Sequence, residues 1–128
     1  MAKPLNIALL GTKFMGKAHS NAWLTVEEFF SVPRSPVRRT VVGRDVADLE
    51  AFADRWGWQQ WTTDWKAAVD DAEIDLVDVG TSNDVHAEQS IAALEAGKHV
   101  ACEKPLARTL DESRQMVRAA KAAPGRTF

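Results

Sequence analysis

Short apolar runs alternate with longer amphipathic segments along this chain, and the alternation constrains the fold more than any other feature of the sequence. Runs that are almost continuously apolar, such as Ile7–Leu10 and Leu76–Val79, are typical of strands covered on both faces. Strands that alternate with helices form βαβ units around a parallel sheet. We therefore predict an α/β fold with a doubly wound parallel sheet in three αβα layers. The strands are expected at Leu5–Leu10, Arg38–Gly43, Trp58–Thr63, Asp75–Gly80 and His99–Glu103.

The segments between the expected strands carry recognisable helix boundaries. The first helix should begin around Gly16 and give way to a loop in SVPRSP, because its two prolines cannot continue a helix. The chain after the last helix, GRTF, looks like the start of a further strand. The expected capping residues of the later helices are Asp45, Asp64, either Asn83 or Asp84, and Thr109, the last in a capping box with Glu112.

The composition narrows the classes of function. The 128 residues suffice for one domain, residues 1–128, and a net charge of −2 without a basic run gives no reason to expect nucleic acid. No apolar stretch approaches the roughly 20 residues of a membrane span, so no membrane partner is expected. Cys102 is the single cysteine, which rules out an internal disulfide, and no metal-ligand spacing accompanies it. We expect a cytoplasmic protein without a metal site.

The hexapeptide GTKFMG, residues 11–16, follows the first expected strand directly. In a dinucleotide-binding turn the first glycine makes the tight turn, the second admits the pyrophosphate and the third lets helix and strand pack closely. Gly11 and Gly16 fit the first and third positions, whereas Lys13 stands at the second. The Lys13 side chain must then point away, and its ammonium could neutralise phosphate charge. An ordinary strand-to-helix turn that holds two glycines is the alternative.

Polar residues cluster after two further strands. TSNDVH, residues 81–86, follows the fourth expected strand, and CEKPLA, residues 102–107, follows the fifth. Ligands of open parallel sheets bind at the carboxyl ends of the strands, near the point where the strand order reverses. We therefore expect both stretches and the glycine turn to face one crevice.

The segments GTKFMGKAHSNAW, GRD and TSNDVHAEQSIAALEAGKHVACEKPLA, at their spacing, resemble the N-terminal domain of the Gfo/Idh/MocA oxidoreductases. This family includes glucose–fructose oxidoreductase and inositol dehydrogenase. The similarity extends over essentially the whole chain, and AGKHVACEKPLA is its most distinctive part. The resemblance implies a Rossmann-type domain that takes NAD or NADP. It also implies oxidation or reduction of a hydroxyl or carbonyl group, mostly on sugars and polyols.

The resemblance implies a role for each matching residue. Lys104 would be catalytic, lying near the nicotinamide and the reacting oxygen, where it polarises that oxygen or helps to move a proton. Pro105 would shape the turn, often through a cis bond in this family. The stretch TSNDVH matches a T-P-N-x-x-H stretch of the family. Ser82 stands where that stretch has proline, so this loop is expected to be less rigid. The residues expected to hold the dinucleotide are Gly11, Lys13, Phe14, Met15, Gly16, Arg44, Asp45, Thr81, Ser82, Asn83, His86, Glu103, Lys104 and Pro105.

Several of these residue types also have ordinary structural roles. Lys104 could be a surface lysine, and His86 at the start of a helix suits packing or capping as well as a cofactor contact. His19, inside a helix, and His99, at the start of a strand, are interpreted as structural. Cys102 is expected to be a buried strand residue. The tryptophans expected to pack helices on the sheet around the third strand are Trp56, Trp58, Trp61 and Trp65.

The end of the second strand bears on the choice of dinucleotide. An acidic residue there would bind the ribose 2′-hydroxyl of NAD, whereas a nearby arginine would accommodate the 2′-phosphate of NADP. Gly43 occupies that position and Arg44 follows it, and Arg44 could also stack on adenine. Asp45 suits capping a helix as well as binding a ribose. This pattern favours NADP and leaves NAD as the alternative.

Hydride transfer at an alcohol needs a proton relay. In the resembling family a second domain supplies the acid or base, the substrate pocket and often the dimer interface, and none of it is expected within these 128 residues. The chain is therefore predicted to bind a dinucleotide, to turn over little sugar or polyol alone, and to belong to a possible homo-oligomer. Two alternatives stay open: a stand-alone nucleotide-binding or partner-docking module, and a coenzyme A-binding domain of the same fold.

Overall fold

A computed structural model of the chain describes residues 2–128. Its parallel strands form a single five-stranded sheet in the order β3-β2-β1-β4-β5. The strands are β1 (Leu5–Leu10), β2 (Pro36–Val42), β3 (Gln60–Thr62), β4 (Leu76–Val79) and β5 (His99–Cys102). The helices are α1 (Phe14–Phe29), α2 (Val46–Trp56), α3 (Trp65–Asp70), α4 (His86–Glu95) and α5 (Leu110–Lys121). None of these helices of residues 2–128 is long and apolar enough to cross a bilayer.

Two hydrophobic cores lie on the two faces of the sheet, because successive side chains of a strand point to opposite faces. Leu9 of β1 faces the layer of α1 and α2, where it packs with Leu49 and other residues of α2. Leu10 faces the opposite layer of α3, α4 and α5, where it packs with Val69 and Leu94. The predicted arrangement of a doubly wound sheet in three αβα layers is confirmed.

The strand order reverses beside the first strand. β1 pairs with β2 on one side and with β4 on the other. The chain therefore winds outward through β2 and β3, returns across the sheet, and winds outward again through β4 and β5. The carboxyl ends of β1 and β4 flank this switch point, where a crevice opens in sheets of this kind.

Several predicted strand and helix limits differ from the structure. α1 begins at Phe14 rather than around Gly16, because Lys13 already serves as its N-cap. β2 begins at Pro36 and ends at Val42, and a proline is tolerated as the first residue of a strand. β3 is limited to Gln60–Thr62, at the edge of the sheet with β2 as its one partner. The strand suggested for the last residues is absent from the described structure, which has no strand after α5, although the Val100 amide donates to the Thr127 carbonyl at 2.9 Å.

The predicted caps are confirmed for three helices and wrong for one. Asp45 and Asp64 accept hydrogen bonds from the first-turn amides of α2 and α3. The hydroxyl of Thr109 accepts the Glu112 amide at 3.1 Å, although the Glu112 carboxylate accepts the Arg108 amide instead of closing the capping box on Thr109. Neither Asn83 nor Asp84 caps α4. Both precede the N-cap, which is Val85 and makes no side-chain cap bond.

The four tryptophans that were predicted to pack helices on the sheet around the third strand lie in different environments. Trp58 is buried between α1 and the sheet, and its indole donates to the Ser20 hydroxyl at 3.0 Å. Trp56 packs partly buried in the same core, whereas Trp65 packs against the core on the other face. Trp61 on the edge strand is 38% exposed, so its predicted packing role is wrong.

Candidate functional site

The glycine turn lies at the carboxyl end of β1 and against the loop that follows β4. Gly11 has a φ of 109°, in the region that side chains rarely adopt. A Cβ on Gly11 would lie 2.6 Å from the Gly80 carbonyl oxygen, so no side chain fits between the two loops. A Cβ on Gly16 would collide with the Gly11 carbonyl. The two glycines therefore let α1 begin directly against the sheet.

The first turn of α1 has no side chain that caps it. Its N-cap, Lys13, makes no side-chain cap bond and is exposed. The N–H groups of Phe14, Met15 and Gly16 lie in that first turn, where no intrahelical acceptor exists. α2, α3 and α5 satisfy such groups with a capping side chain, whereas α4, like α1, does not. An uncapped 16-residue helix at a switch point fits an anion, because free N–H groups and the helix dipole both favour negative charge.

The loop after β4 is ordered by its own hydrogen bonds. The Thr81 hydroxyl donates to Gln89 Oε1 of α4 at 2.6 Å. Ser82, which stands where the family usually has proline, donates from its hydroxyl to the Asp84 carboxylate. Asn83 is half-buried between these residues. A side-chain hydrogen bond thus restrains the loop where proline would have restrained it.

The Glu103-Lys104-Pro105 turn continues from β5 along the same edge. The Glu103 amide donates to the Val79 carbonyl at 3.0 Å, which extends the pairing of β5 with β4. The Lys104–Pro105 peptide bond is cis, as the resemblance implies. The Lys104 side chain is exposed, and its amide donates to Glu103 Oε1 at 3.0 Å. The turn therefore presents a lysine to solvent beside the end of β4.

His86 joins the last two loops from inside the protein. Its ring is 1% exposed, with Nε2 2.8 Å from the Thr81 carbonyl oxygen and Nδ1 3.0 Å from the Pro105 carbonyl oxygen. These contacts favour the packing role that was one of the two interpretations of this residue. His86 thus sets the distance between the loop after β4 and the Glu103-Lys104-Pro105 turn.

His19 reaches the same turn from the other face of the sheet. Its Nδ1 lies 2.8 Å from Asp78 Oδ1 and its Nε2 lies 2.9 Å from Glu103 Oε2. The hydrogen bond to Asp78, aided by Glu103 and opposed by burial, raises the pKa of His19 to about 9. Hydrogen bonds from the Lys104 amide and from His19 lower the pKa of Glu103. The prediction of a structural role for His19 did not anticipate this cluster. Its one signal in the sequence is Asp78, a carboxylate inside an apolar strand.

The end of β2 lies close to the glycine turn. A Cβ on Gly43 would lie 3.1 Å from Thr12 Cγ2 and 3.1 Å from Leu49 Cδ1, which leaves little room for a side chain. Arg44 and Asp45 follow on the exposed surface. Asp45 Oδ1 accepts the Asp48 amide at 3.0 Å, so capping α2 is one role that this carboxylate has.

The remaining candidates lie elsewhere or are unremarkable in their surroundings. His99 Nδ1 accepts the Thr127 amide at 3.0 Å at the start of β5, away from the carboxyl ends of the strands. Cys102 is half-buried rather than buried, and burial raises the pKa of its thiol. Residues 2–128 contain no group of three or more His, Cys, Asp or Glu side chains arranged for a metal ion.

The glycine turn, the loop after β4 and the Glu103-Lys104-Pro105 turn thus lie along the carboxyl ends of β1, β4 and β5. The N-terminus of α1 is uncapped there, and Lys104 is exposed. These features define a nucleotide-binding α/β domain. The sequence model of the Gfo/Idh/MocA family, described as an oxidoreductase family with an NAD-binding Rossmann fold, matches residues 5–128. The chain belongs to this family and comprises its NAD-binding Rossmann domain.

Characterised relatives agree with this assignment. Levoglucosan dehydrogenase of Pseudarthrobacter phenanthrenivorans is 47% identical over 118 residues, which cover 91% of this chain and 30% of that protein. The 1,5-anhydro-D-fructose reductase of Ensifer adhaerens is 48% identical over 73 residues, which cover 57% of this chain and 22% of that protein. The chain therefore spans about 30% or less of the length of these two relatives.

Solved structures share the fold. A levoglucosan dehydrogenase in complex with NADH has a TM-score of 0.91 at 45% identity, with 95% of this chain and 33% of that chain covered. An oxidoreductase domain protein from Kribbella flavida has a TM-score of 0.92 at 47% identity, with 95% of this chain and 32% of that chain covered.

Proposed function

We propose that this chain is the dinucleotide-binding part of an enzyme that transfers hydride between a nicotinamide and a hydroxyl or carbonyl group of a sugar or polyol. The observation that carries the proposal is the uncapped start of α1, which opens beside the same switch point as the turn that bears Lys104. The NADH bound to a similar levoglucosan dehydrogenase supports the choice of cofactor class. The names of the sugar-active relatives support the substrate class.

The pyrophosphate is assigned to the glycine turn. The N–H groups of Phe14, Met15 and Gly16 would donate to it, and Gly11, which has no side chain, would leave room for the ligand. The exposed ammonium of Lys13 adds positive charge without being required for these hydrogen bonds. Thr81, Ser82 and Asn83, with Glu103 and Pro105, would face the nicotinamide half of the dinucleotide. Their loops are held at a fixed separation by His86.

Lys104 is assigned the catalytic role. A bound nicotinamide supplies the hydride or accepts it, and the oxygen that loses or gains the proton needs a positive or acidic group beside it. Lys104 is an exposed cation next to the carboxyl end of β4 and has the chemistry for both tasks. Its side chain stabilises negative charge on that oxygen as the proton moves.

The end of β2 supports a preference between the two forms of the dinucleotide. Close packing of Gly43 against Thr12 and Leu49 leaves no acidic side chain at the position that would repel a 2′-phosphate. Arg44 is exposed beside it and can pair with that phosphate, while Asp45 holds the amide of Asp48. We infer that the site accepts both NADP and NAD and binds NADP more tightly at low ionic strength.

The rest of the reaction needs a second domain. The relatives are about three times as long as this chain, and the acid or base, the substrate pocket and a dimer interface are assigned to the part beyond the match. The chain alone is therefore expected to bind dinucleotide and to give negligible turnover of sugars. A reducing compartment such as the cytoplasm suits the single unpaired cysteine.

Titration calorimetry with NADPH, NADH and coenzyme A tests the binding proposal. We expect saturable binding of both nicotinamide dinucleotides and none of coenzyme A. Binding of coenzyme A alone, or of no nucleotide at millimolar concentration, would favour a different ligand or a docking module. A steady-state rate of levoglucosan or inositol oxidation from the isolated chain would overturn the proposal that turnover needs a second domain.

A further inference from the structure

The His19-Asp78-Glu103 cluster connects three separate parts of the fold. His19 lies on α1, Asp78 on β4, and Glu103 directly after β5. The ring nitrogens face the two carboxylates at 2.8 Å and 2.9 Å, and the Trp23 indole donates to Asp78 Oδ2 at 2.7 Å. Glu103, the more exposed of the two carboxylates, belongs to the turn that bears Lys104.

We propose that His19 is a positioning residue whose charged ring fixes the Glu103 carboxylate, and through it the Lys104 amide, and that this amide is freed when the ring loses a proton. The hold on the Lys104 amide follows from contacts within this chain. Its consequence for catalysis rests on the role proposed above for Lys104.

The geometry fits a doubly protonated ring. Ionised carboxylates only accept hydrogen bonds, so both ring nitrogens must carry a proton to serve Asp78 and Glu103 together. Asp78 is 1% exposed, and a buried carboxylate needs a cation or several donors. Asp78 and Glu103 are the charged groups that face the ring from β4 and from the turn after β5, and both raise the pKa of His19. Trp23, on the same helix, is neutral.

Glu103 connects the His19 ring to the backbone of Lys104. Its Oε2 is bound to His19, while its Oε1 accepts the Lys104 amide at 3.0 Å. One carboxylate therefore joins the ring to the backbone of Lys104. The far end of the turn is held independently, since His86 contacts the Pro105 carbonyl from the opposite helical layer.

Loss of one proton affects the two carboxylates unequally. A neutral ring has one N–H, and the buried Asp78 retains it because Asp78 has the greater cost of losing a donor. The lone pair of Nε2 then faces Glu103, so an attraction becomes a repulsion. Glu103 is near the surface and can turn to water, which frees the Lys104 amide from its fixed acceptor.

Carbon-detected NMR of the labelled chain between pH 6 and pH 11 tests the proposal. Three signals are followed: the His19 ring, the Glu103 side-chain carboxyl and the correlation between the Lys104 carbonyl carbon and the Pro105 nitrogen. We expect all three to move with one midpoint at about 9, the pKa of His19. His99→Gln serves as the matched control and should leave that midpoint unchanged, because His99 lies at the other end of β5.

Two variants separate positioning from folding. In His19→Gln the movement of the Lys104–Pro105 correlation near pH 9 should disappear. In Glu103→Gln the buried His19–Asp78 pair remains, and the midpoint of His19 should fall by about one unit as one anionic partner is lost. A wild-type Lys104–Pro105 correlation that stays constant while His19 titrates would overturn the proposal, as would a His19 midpoint near 6.5.

A parallel titration with NADH distinguishes this inference from the proposed function. Coupled movement of the three signals in a chain that binds no dinucleotide would retain the positioning role and remove its catalytic meaning. Dinucleotide binding without the coupled movement would leave the proposed function standing and reject His19 as a positioning residue.

Discussion

Gly11 and Gly80 meet where β1 and β4 end, and a Cβ on Gly11 would stand 2.6 Å from the Gly80 carbonyl oxygen. The Gly80 amide donates to the Leu10 carbonyl at 2.9 Å, which keeps the second loop in place beside the first. The switch point is thus closed at its base by backbone alone.

Replacement of Gly11 by alanine should therefore destabilise the fold. The positive φ costs roughly 1–2 kcal/mol and the collision adds about 1–3 kcal/mol. Gly125→Ala is the matched control, since Gly125 also has a positive φ of 78° but nothing lies within 4 Å of its Cβ position. Urea unfolding should give a larger loss for Gly11→Ala than for Gly125→Ala. Equal losses would mean that the two loops separate at no cost.

Lys13→Gly should leave dinucleotide binding largely intact. The backbone N–H groups of α1 remain, and glycine at an N-cap costs only a few tenths of a kcal/mol relative to a good cap. We expect an increase in Kd of no more than about fivefold for NADH by calorimetry, because one exposed charge contributes at most about 1 kcal/mol. Abolished binding would instead make the ammonium of Lys13 a required ligand.

Arg44→Ala should reduce the affinity for NADPH selectively. Loss of a charge-assisted bond to the 2′-phosphate corresponds to about 1.5–3 kcal/mol, or more than a tenfold rise in Kd, with little change for NADH. Arg55→Ala removes the same charge from α2, where Arg55 lies 5.5 Å from the centre of the Trp56 ring, and should change neither Kd. A parallel loss for both dinucleotides in Arg44→Ala would indicate stacking on adenine instead.

The stability of the domain should fall between pH 6.5 and about 9 through His19. Its pKa is raised on folding, so its contribution is complete below 6.5 and lost as the pH rises through 9. Compared with His19→Gln, the wild type should be more stable by about 2 kcal/mol at pH 6, a value discounted because the ring is partly exposed. Urea unfolding at several pH values should show this difference shrinking toward pH 10. A stability difference that does not change with pH would show that the charge on His19 does not contribute to the free energy of unfolding.

The sequence indicated those features whose causes are local. Strand runs such as Leu5–Leu10, the caps Asp45 and Asp64, and the helix that follows Gly11 depend on neighbours within a few residues, and all are present. The short β3 and the exposure of Trp61 depend on the sheet ending there. The role of His19 depends on partners 59 and 84 residues away, which no local pattern identifies.

Those long sequence separations matter to anyone who recombines this domain with a relative. A crossover placed anywhere between residues 20 and 77 takes His19 from one parent and both of its carboxylates from the other. If the second parent lacks both acidic residues, the chimera inherits the partly buried His19 without a carboxylate partner. Exchange boundaries should therefore be drawn so that α1 travels with the segment after β5, even though the two are far apart in the gene.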